Sequence, residues 1–276
     1  MPLTAKGLCY TYERGGPGEA RALDGIDLTI EVGEMVLIAG ANGSGKTTLL
    51  QCLSGLLKPD AGRVVIDGVD AVKCALTVMS IQFPERALFE RTVLEDVAFG
   101  PLNRGKGREE ARRCAARAIE AVGLGGKAFM ADPSSLSQGE RRLAALAGAI
   151  ASQPLYIFLD EPTAGLDSNG KGRIARILAG LAREGTAVIV ASHDLAHFMG
   201  VCGRMIVLDN GKVAMDGRPA DIVSLEDVER LGLSLPPSVA VARWLRRRGV
   251  YASWDIRPEE AAAHIRRLLN EGTGMG

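Results

Sequence analysis

The sequence predicts an α/β fold built on a buried, largely parallel sheet. Three observations carry that expectation. Runs at 155–159, 187–191 and 205–208 are short, apolar throughout and bounded by polar residues, glycine or proline, the pattern of strands covered on both faces. A fourth run, 35–39, leads straight into Gly40, Ala41, Asn42, Gly43, Ser44, Gly45, Lys46 and Thr47, which fit G-x-x-x-x-G-K-[ST] at every fixed position and put a tight turn between a strand and a helix. Amphipathic helical patterns at 108–122 and 141–151 supply material for a covering layer.

Taken in order, Leu8, Tyr10 and Tyr12, then Ile26, Leu28 and Ile30, predict antiparallel strands joined by a glycine-rich hairpin at 15–18. After the strand at 35–39 and its loop, 47–53 continues as a helix. Residues 64–69 read as another strand, with Asp67 and Gly68 as a turn. Between 85 and 151 the character changes to helical, so a helical subdomain is expected as an insert at about 84–153. The parallel-strand pattern then resumes. Beyond Leu233 a Pro-Pro break and two helical segments, 239–248 and 258–269, predict a short C-terminal extension at 234–276, leaving 1–233 as the main domain. There is no internal repeat and no low-complexity segment.

The bulk numbers narrow the class. A chain of 276 residues is long enough for one large α/β domain with a small appendage. An apolar content of 47% excludes wholesale disorder. A formal net charge of zero provides no basic field toward nucleic acid or an anionic membrane, the arginine-rich stretch 243–248 being a solvated helix face or a local contact. Cys9, Cys52, Cys74, Cys114 and Cys202 are scattered without C-x-x-C spacing. With no signal-like N-terminus, they are expected to be reduced packing residues of a cytosolic protein. The longest apolar stretches, such as 143–151, fall far short of the ~20 residues that span a bilayer.

The chemistry of the glycine-rich loop follows from its residue types. Gly40, Gly43 and Gly45 let successive N–H groups converge on phosphate oxygens, with Asn42, Ser44 and Thr48 completing the cradle. The positive end of the following helix adds to the field. Lys46 is placed to reach the β- and γ-phosphates; at ~4 Å and an effective dielectric near 20 such a pair is worth about 4 kcal/mol before desolvation. Thr47 offers a hydroxyl to Mg²⁺. These features predict a P-loop NTPase site that binds a nucleotide with Mg²⁺. Asp160 and Glu161 close the run 155–159, so their carboxylates should emerge at the C-terminal edge of the sheet, where α/β sites lie. Asp160 is placed to organise Mg²⁺ through its water shell and Glu161 to orient the attacking water, the competing reading of two adjacent acids at a strand end being a solvated loop.

Leu136, Ser137, Gln138, Gly139 and Glu140 precede the helical pattern at 141–151. Ser137 and Glu140 satisfy S-x-x-E, an ordinary capping box. A helix N-terminus with Ser137 and Gly139 also presents N–H groups and a positive dipole end to an anion.

The loop, the pentapeptide and the acidic strand end, in that order, resemble the ATP-binding cassette (ABC) family, the motor subunits of ABC transporters, over roughly residues 3–230. The resemblance implies that Ser137, Gln138, Gly139 and Glu140 act on the γ-phosphate of ATP held by an opposite subunit, so that one copy carries half of each working site. Gln138 and Glu140 depart from the common Leu-Ser-Gly-Gly-Gln. Pro162 to Asp167 match the family pattern after the acid pair, and Asp167 resembles the D-loop aspartate that bridges the subunits. Gln82, after 78–81, resembles the Q-loop glutamine, which touches Mg²⁺ or water and couples to the membrane partner. His193, after 188–191, resembles the switch histidine that contacts the γ-phosphate and supports Glu161. His197 is expected at the surface. Tyr12 aligns with the aromatic that stacks on adenine, and Tyr10 is expected on the other face of its strand.

Within the family, the stretch 82–103, above all Gln82, Phe83, Pro84, Glu85 and Phe99, Gly100, Pro101, Leu102, Asn103, resembles the ATPases of energy-coupling factor (ECF) importers of vitamins or transition-metal ions. This implies an ATP-hydrolysing subunit, peripheral on the cytoplasmic face of the membrane. Its partners would be a second ATPase subunit (the same chain or a sister), a transmembrane scaffold and a solute-binding membrane protein, with no nucleic acid. Glu85, Glu90, Glu95 and Asp96 are candidates to meet arginines of the scaffold; solvent-facing charge is the competing reading. Trp244 and Leu245 would pack the tail on the core or on a partner's tail, stabilising a dimer. The alternatives are an ATPase of another ABC transporter class, or a soluble ABC ATPase acting on nucleic acid or ribosomes. The long coiled-coil insert or second cassette usual in the soluble class is absent from this sequence.

Overall fold

The computed structural model describes residues 1–71, 76–80, 88–254 and 258–272. The N-terminal pattern becomes an antiparallel sheet ordered β2-β1-β4-β5, in which β1 (Leu3–Tyr12) lies between β2 (Ala20–Ile30) and β4 (Ala61–Ile66). The single strand expected at 64–69 is two strands, β4 and β5 (Val69–Asp70). Asp67 and Gly68 between them have φ of 51° and 81°, as a two-residue hairpin turn of type I′ requires. Tyr10 and Tyr12 do not point to opposite faces: their rings meet edge to face with centroids 4.9 Å apart. In a strand the faces alternate with period two, so residues i and i+2 share one.

The second sheet has the order β10-β9-β3-β8-β7-β6. Strands β3 (Met35–Gly40), β6 (Thr77–Ser80), β7 (Tyr156–Asp160), β8 (Ala187–Ala191) and β9 (Arg204–Asp209) run parallel. Strand β10 (Lys212–Gly217) adds an antiparallel edge; its exposed and half-buried residues alternate, so no apolar run marks it in the sequence. The central strands are buried on both faces and divide their side chains between two cores. Val36, Ile38, Tyr156, Phe158 and Ile189 pack toward the antiparallel sheet, together with Leu49, Leu50 and Leu53 of helix α1 (Lys46–Leu53). Leu37, Ala39, Ile157, Leu159, Val188 and Val190 pack toward helices α2 (Val93–Asn103), α3 (Arg108–Ala121), α4 (Gln138–Ala151) and α5 (Ser168–Arg183). At roughly 1.5–3 kcal/mol for each large side chain taken from water, these two layers hold the sheet rigid beneath its C-terminal edge.

Helix α4 begins three residues ahead of the predicted start, on the capping box rather than on the apolar stripe. Helix α5 is absent from the sequence prediction: Gly170, Gly172 and Gly180 dilute its pattern, yet Ile174, Ala175, Leu178 and Ala182 form one buried face. After the short helices α6 (Leu195–Phe198) and α7 (Pro219–Ser224), the tail forms α8 (Pro237–Arg246) and α9 (Pro258–Gly272). These two pack around Ala242, Leu245, Ala252 and Ala261, with Val239 and Trp254 joining them to the main core. Leu245 is fully buried, whereas Trp244 stays exposed with the Arg248 guanidinium 3.9 Å over its ring.

Cys52, Cys114 and Cys202 are buried free thiols and Cys9 is half-buried; Cys74 lies outside the described residues. Burial pushes the Cys52 and Cys202 thiols up to about 12, which keeps them protonated and unreactive. Among the described residues no helix is long and apolar enough to cross a membrane.

Candidate nucleotide site

The end of β3 and the start of α1 form the glycine-rich loop. Gly45 precedes α1 at φ 102°, and a β-carbon there would stand 2.4 Å from the Ala22 carbonyl of β2, so both conformation and space demand glycine. The buried Lys46 curls back over the loop, its Nζ donating to the carbonyls of Gly40 and Ala41 at 2.9 Å each. Burial lowers the Lys46 pKa, opposed by the nearby charges of Glu161 and Asp160. The buried Ser44 hydroxyl has no partner among the described residues, and Asn42, Gly43 and Thr47 are exposed on the same loop. Among the described residues the loop thus holds a cation hydrogen-bonded to its own backbone and an orphaned hydroxyl, which suits an incoming polyphosphate.

Strand β7 delivers the acid pair. Thr47 Oγ1 donates to Asp160 Oδ2 at 2.8 Å. Burial raises the Asp160 pKa, with the Thr47 hydrogen bond and Lys46 pulling it down and Glu161 adding to the rise. The hydroxyl and carboxylate side by side are a donor set of hard oxygens, appropriate to Mg²⁺. Glu161 turns off the strand at φ 47°, a left-handed conformation that costs a non-glycine residue roughly 1–2 kcal/mol. Because β8 runs parallel beside β7, its own end arrives at the same place. Ser192 Oγ donates to Glu161 Oε2 at 3.0 Å, the His193 N–H donates to Oε1 at 3.0 Å, and His193 Nδ1 lies 2.7 Å from Oε1. Ser192 belongs to this group although no motif marks it in the sequence. Only the pairing of β7 with β8 reveals it.

Tyr12, Asn42, Lys46, Thr47, Asp160, Glu161 and His193 line one cleft of about 580 Å³. The Tyr12 hydroxyl is 3.0 Å from Thr48 Oγ1, and the residue is 40% exposed where it lines this cleft. Gln82 and Glu85 lie outside the described residues.

The pentapeptide is elsewhere: none of residues 136–140 lines the cleft. Ser137 caps α4 in a full capping box, with Glu140 N–H donating to Ser137 Oγ at 3.3 Å and Ser137 N–H donating to Glu140 Oε2 at 2.9 Å. The Ser137 hydroxyl donates to the same carboxylate oxygen at 2.7 Å, and these bonds hold the Glu140 pKa below the usual carboxylate range. Ser137, Gln138 and Glu140 are exposed. Arg142, which belongs to no motif, is 2% exposed and donates to the carbonyl of Ala164. It thereby ties α4 to the loop after Glu161. Its signal is positional: Arg142 and Leu146 are four apart, so a cation sits on the apolar face of the helix.

Asp167 is exposed and caps α5, accepting from Gly170 N–H at 2.8 Å. His197 is half-buried rather than superficial. Its Nδ1 is 3.0 Å from Asp194 Oδ1 and its Nε2 is 3.2 Å from Ser168 Oγ, while Lys171 Nζ reaches Asp194 at 2.8 Å. Of the acidic candidates facing a membrane partner, Asp96 is engaged locally, accepting from the N–H groups of Phe89 and Glu90 at 2.7 and 2.9 Å. Phe89 and Phe99 beside it are 62% and 41% exposed and contact each other edge to face.

Comparison with known proteins identifies the family. The family model described as ABC transporter matches residues 23–164. The energy-coupling factor transporter ATP-binding protein EcfA2 of Symbiobacterium thermophilum is 39% identical over 98% of this chain and 97% of that protein. Its namesake in Caldanaerobacter subterraneus subsp. tengcongensis is 37% identical over 98% of both. Among solved structures, cbiO1 of Clostridium perfringens, described as part of the ABC transporter complex cbiONQ, superposes with a TM-score of 0.73 at 31% identity, covering 90% of this chain and 96% of that one. A dimeric ATP-binding cassette, MJ0796, bound to ADP and Pi in a post-hydrolysis state, gives a TM-score of 0.70 at 30% identity over 79% of this chain and 98% of that one. The chain therefore belongs to the ABC transporter ATPases, in the branch of the energy-coupling factor ATP-binding proteins.

Proposed function

We propose that this chain is the ATP-hydrolysing motor of an energy-coupling factor importer for a vitamin or transition-metal ion, working as a dimer peripheral to the cytoplasmic face of the membrane. The observation that carries the reading is the Glu161 carboxylate, held by Ser192 and His193 in the cleft that also contains Lys46. ATP enters with its base on Tyr12 and its phosphates on the loop from Gly40 to Thr48. Lys46 exchanges the carbonyls of Gly40 and Ala41 for phosphate oxygens, at small cost because its charge is already poorly solvated. Thr47 and Asp160, with Gln82, are the residues that would hold Mg²⁺, which supplies charge neutralisation on the phosphates. Glu161 orients the attacking water and takes its proton. His193, hydrogen-bonded to Glu161, fixes that carboxylate and faces the γ-phosphate.

Phosphoryl transfer depends on positioned donors around the leaving charge, and within one copy the pentapeptide does not line the cleft. The capped, exposed N-terminus of α4 supplies those donors to a second subunit, and Asp167 lies beside the joint. In that role the Ser137 hydroxyl must turn from Glu140 to the phosphate. Nucleotide-driven closing and opening of the dimer then moves the membrane scaffold, whose solute is captured by a third, membrane-embedded protein. The identity to energy-coupling factor relatives across nearly the whole chain favours this over an ATPase of another transporter class or one acting on nucleic acid or ribosomes.

The test is purification from detergent-solubilised membranes followed by sedimentation with and without ATP. The expected result is copurification with a small apolar membrane protein and a dimer that forms with ATP. Retention on nucleic acid with no membrane partner would overturn the reading.

A further inference from the structure

The segment that carries the chain from the main domain into its C-terminal helices touches the phosphate loop. A short 3-10 turn, Glu226–Leu231, ends on Gly232 at φ 70°. On either side, Val228 and Leu233, then Val239, are buried in the same core as Leu37 and Ala39 of β3, so this connection is fastened to the domain rather than draped over it. Gly232 lies against Ala41. A β-carbon on Gly232 would stand 2.7 Å from Ala41 Cβ and 3.5 Å from Ala41 Cα. Ala41 is the second residue of the loop, and its carbonyl is one of the two that accept Lys46 Nζ. Gly40, Ala41, Asn42, His193, Gly232, Leu233 and Ser234 together wall a cavity of about 270 Å³, which shares Asn42 and His193 with the nucleotide cleft.

A left-handed glycine that merely ends a helical turn needs no neighbour. Gly249, after α8, is such a residue: its φ is 77° and nothing lies within 4 Å of a β-carbon built on it. Gly232 shares the conformation and differs in the contact. We propose that Gly232 is a positioning residue for ATP: the turn at 226–233 braces Ala41 and so holds the curvature in which Lys46 and the loop N–H groups meet the phosphates. Hydrogen bonds to phosphate weaken within a few tenths of an ångström of misplacement, and packed interiors transmit such shifts. Because binding free energies are reciprocal, a filled loop must tighten the connection as much as the connection tightens nucleotide. The C-terminal helices, anchored through Val239 and Trp254, thereby sense nucleotide. This inference rests on the reading of residues 40–48 as the nucleotide site.

The experiment is calorimetric titration of the full chain with ADP, which occupies the loop without being hydrolysed. Gly232→Ala is expected to weaken binding by about tenfold through overpacking against Ala41, while Gly249→Ala, with the same backbone strain, stays within about twofold of wild type. Ala41→Gly removes the atom that the new methyl meets, so Gly232→Ala should cost far less affinity in that background than in the wild type. Unchanged affinity of Gly232→Ala, or an equal loss in both backgrounds, overturns the brace. Hydrogen exchange on the wild-type chain needs no variant: ADP should slow exchange across 228–239, and exchange there that ignores ADP overturns the linkage. A wild-type chain that binds no ADP would instead sink the nucleotide-site reading itself.

Discussion

Glu161→Gln separates chemistry from architecture. The carboxylate accepts from Ser192 Oγ and the His193 N–H at 3.0 Å each and lies 2.7 Å from His193 Nδ1. A glutamine can keep every contact: its oxygen accepts from the His193 backbone and ring, and its NH₂ donates to the Ser192 hydroxyl, which reverses its role. Fold stability should therefore change by less than about 1 kcal/mol, or within about 2–4 °C of the melting temperature for a chain of this size. What disappears is the proton acceptor. General-base catalysis is worth about 10²–10⁴ in rate, so hydrolysis should fall by that factor, about 2.7–5.4 kcal/mol on the barrier. The assay is single-turnover phosphate release, beside nucleotide titration and sedimentation of the dimer with ATP. The expected variant binds ATP, accumulates the closed dimer and barely turns over. Turnover within a few-fold of wild type would refute the assignment of Glu161 as the base. Loss of ATP binding would instead show that its charge belongs to the ground state.

Three other outcomes follow from the same geometry. Lys46→Ala should abolish measurable nucleotide binding, since the loop loses its buried cation; normal affinity in a titration would contradict the phosphate role. Asp160→Asn should melt higher than wild type at pH 7 without nucleotide. The folded-state pKa of Asp160 is raised above 3.8, so the folded state is penalised for ionising it once the pH exceeds that raised value. The gain should vanish below pH 3.8, where Asp160 is protonated folded or unfolded, and a pH series of thermal melts with no such convergence would remove the burial argument. Ser137→Ala should cost about 1 kcal/mol of stability through loss of the α4 cap while lowering ATPase activity by far more than that; equal, small losses in melting and steady-state rate would mean that Ser137 is a cap and nothing else.

The strands and loops legible in the sequence are those whose signal is local. Apolar runs at 155–159, 187–191 and 205–208 became β7, β8 and β9 because a strand buried on both faces needs no alternation. Asp67 with Gly68 was legible as a turn because only a few residues tolerate two successive left-handed conformations. Helix α5 escaped because its glycines lower local propensity while a packed face, Ile174 with Leu178, overrides it. Tyr10 was misplaced through the period of the strand. Ser192 and Arg142 carry no motif: one matters through a neighbouring strand's end, the other through a carbonyl 22 residues away.

By itself, the sequence determined the loop from Gly40 to Thr48, the acid pair Asp160 and Glu161, and the capping box of Ser137 and Glu140. Each is a short-range pattern whose backbone geometry is dictated by the residues within it. Tertiary structure alone decided what these pieces face. The register of β7 against β8 brings Ser192 and His193 onto Glu161, and the Thr47–Asp160 bond spans 113 residues. The packing of Gly232 on Ala41 joins the C-terminal connection to the phosphate loop. Contacts of that separation depend on the closure of the whole sheet and its two cores, a free energy no local window contains.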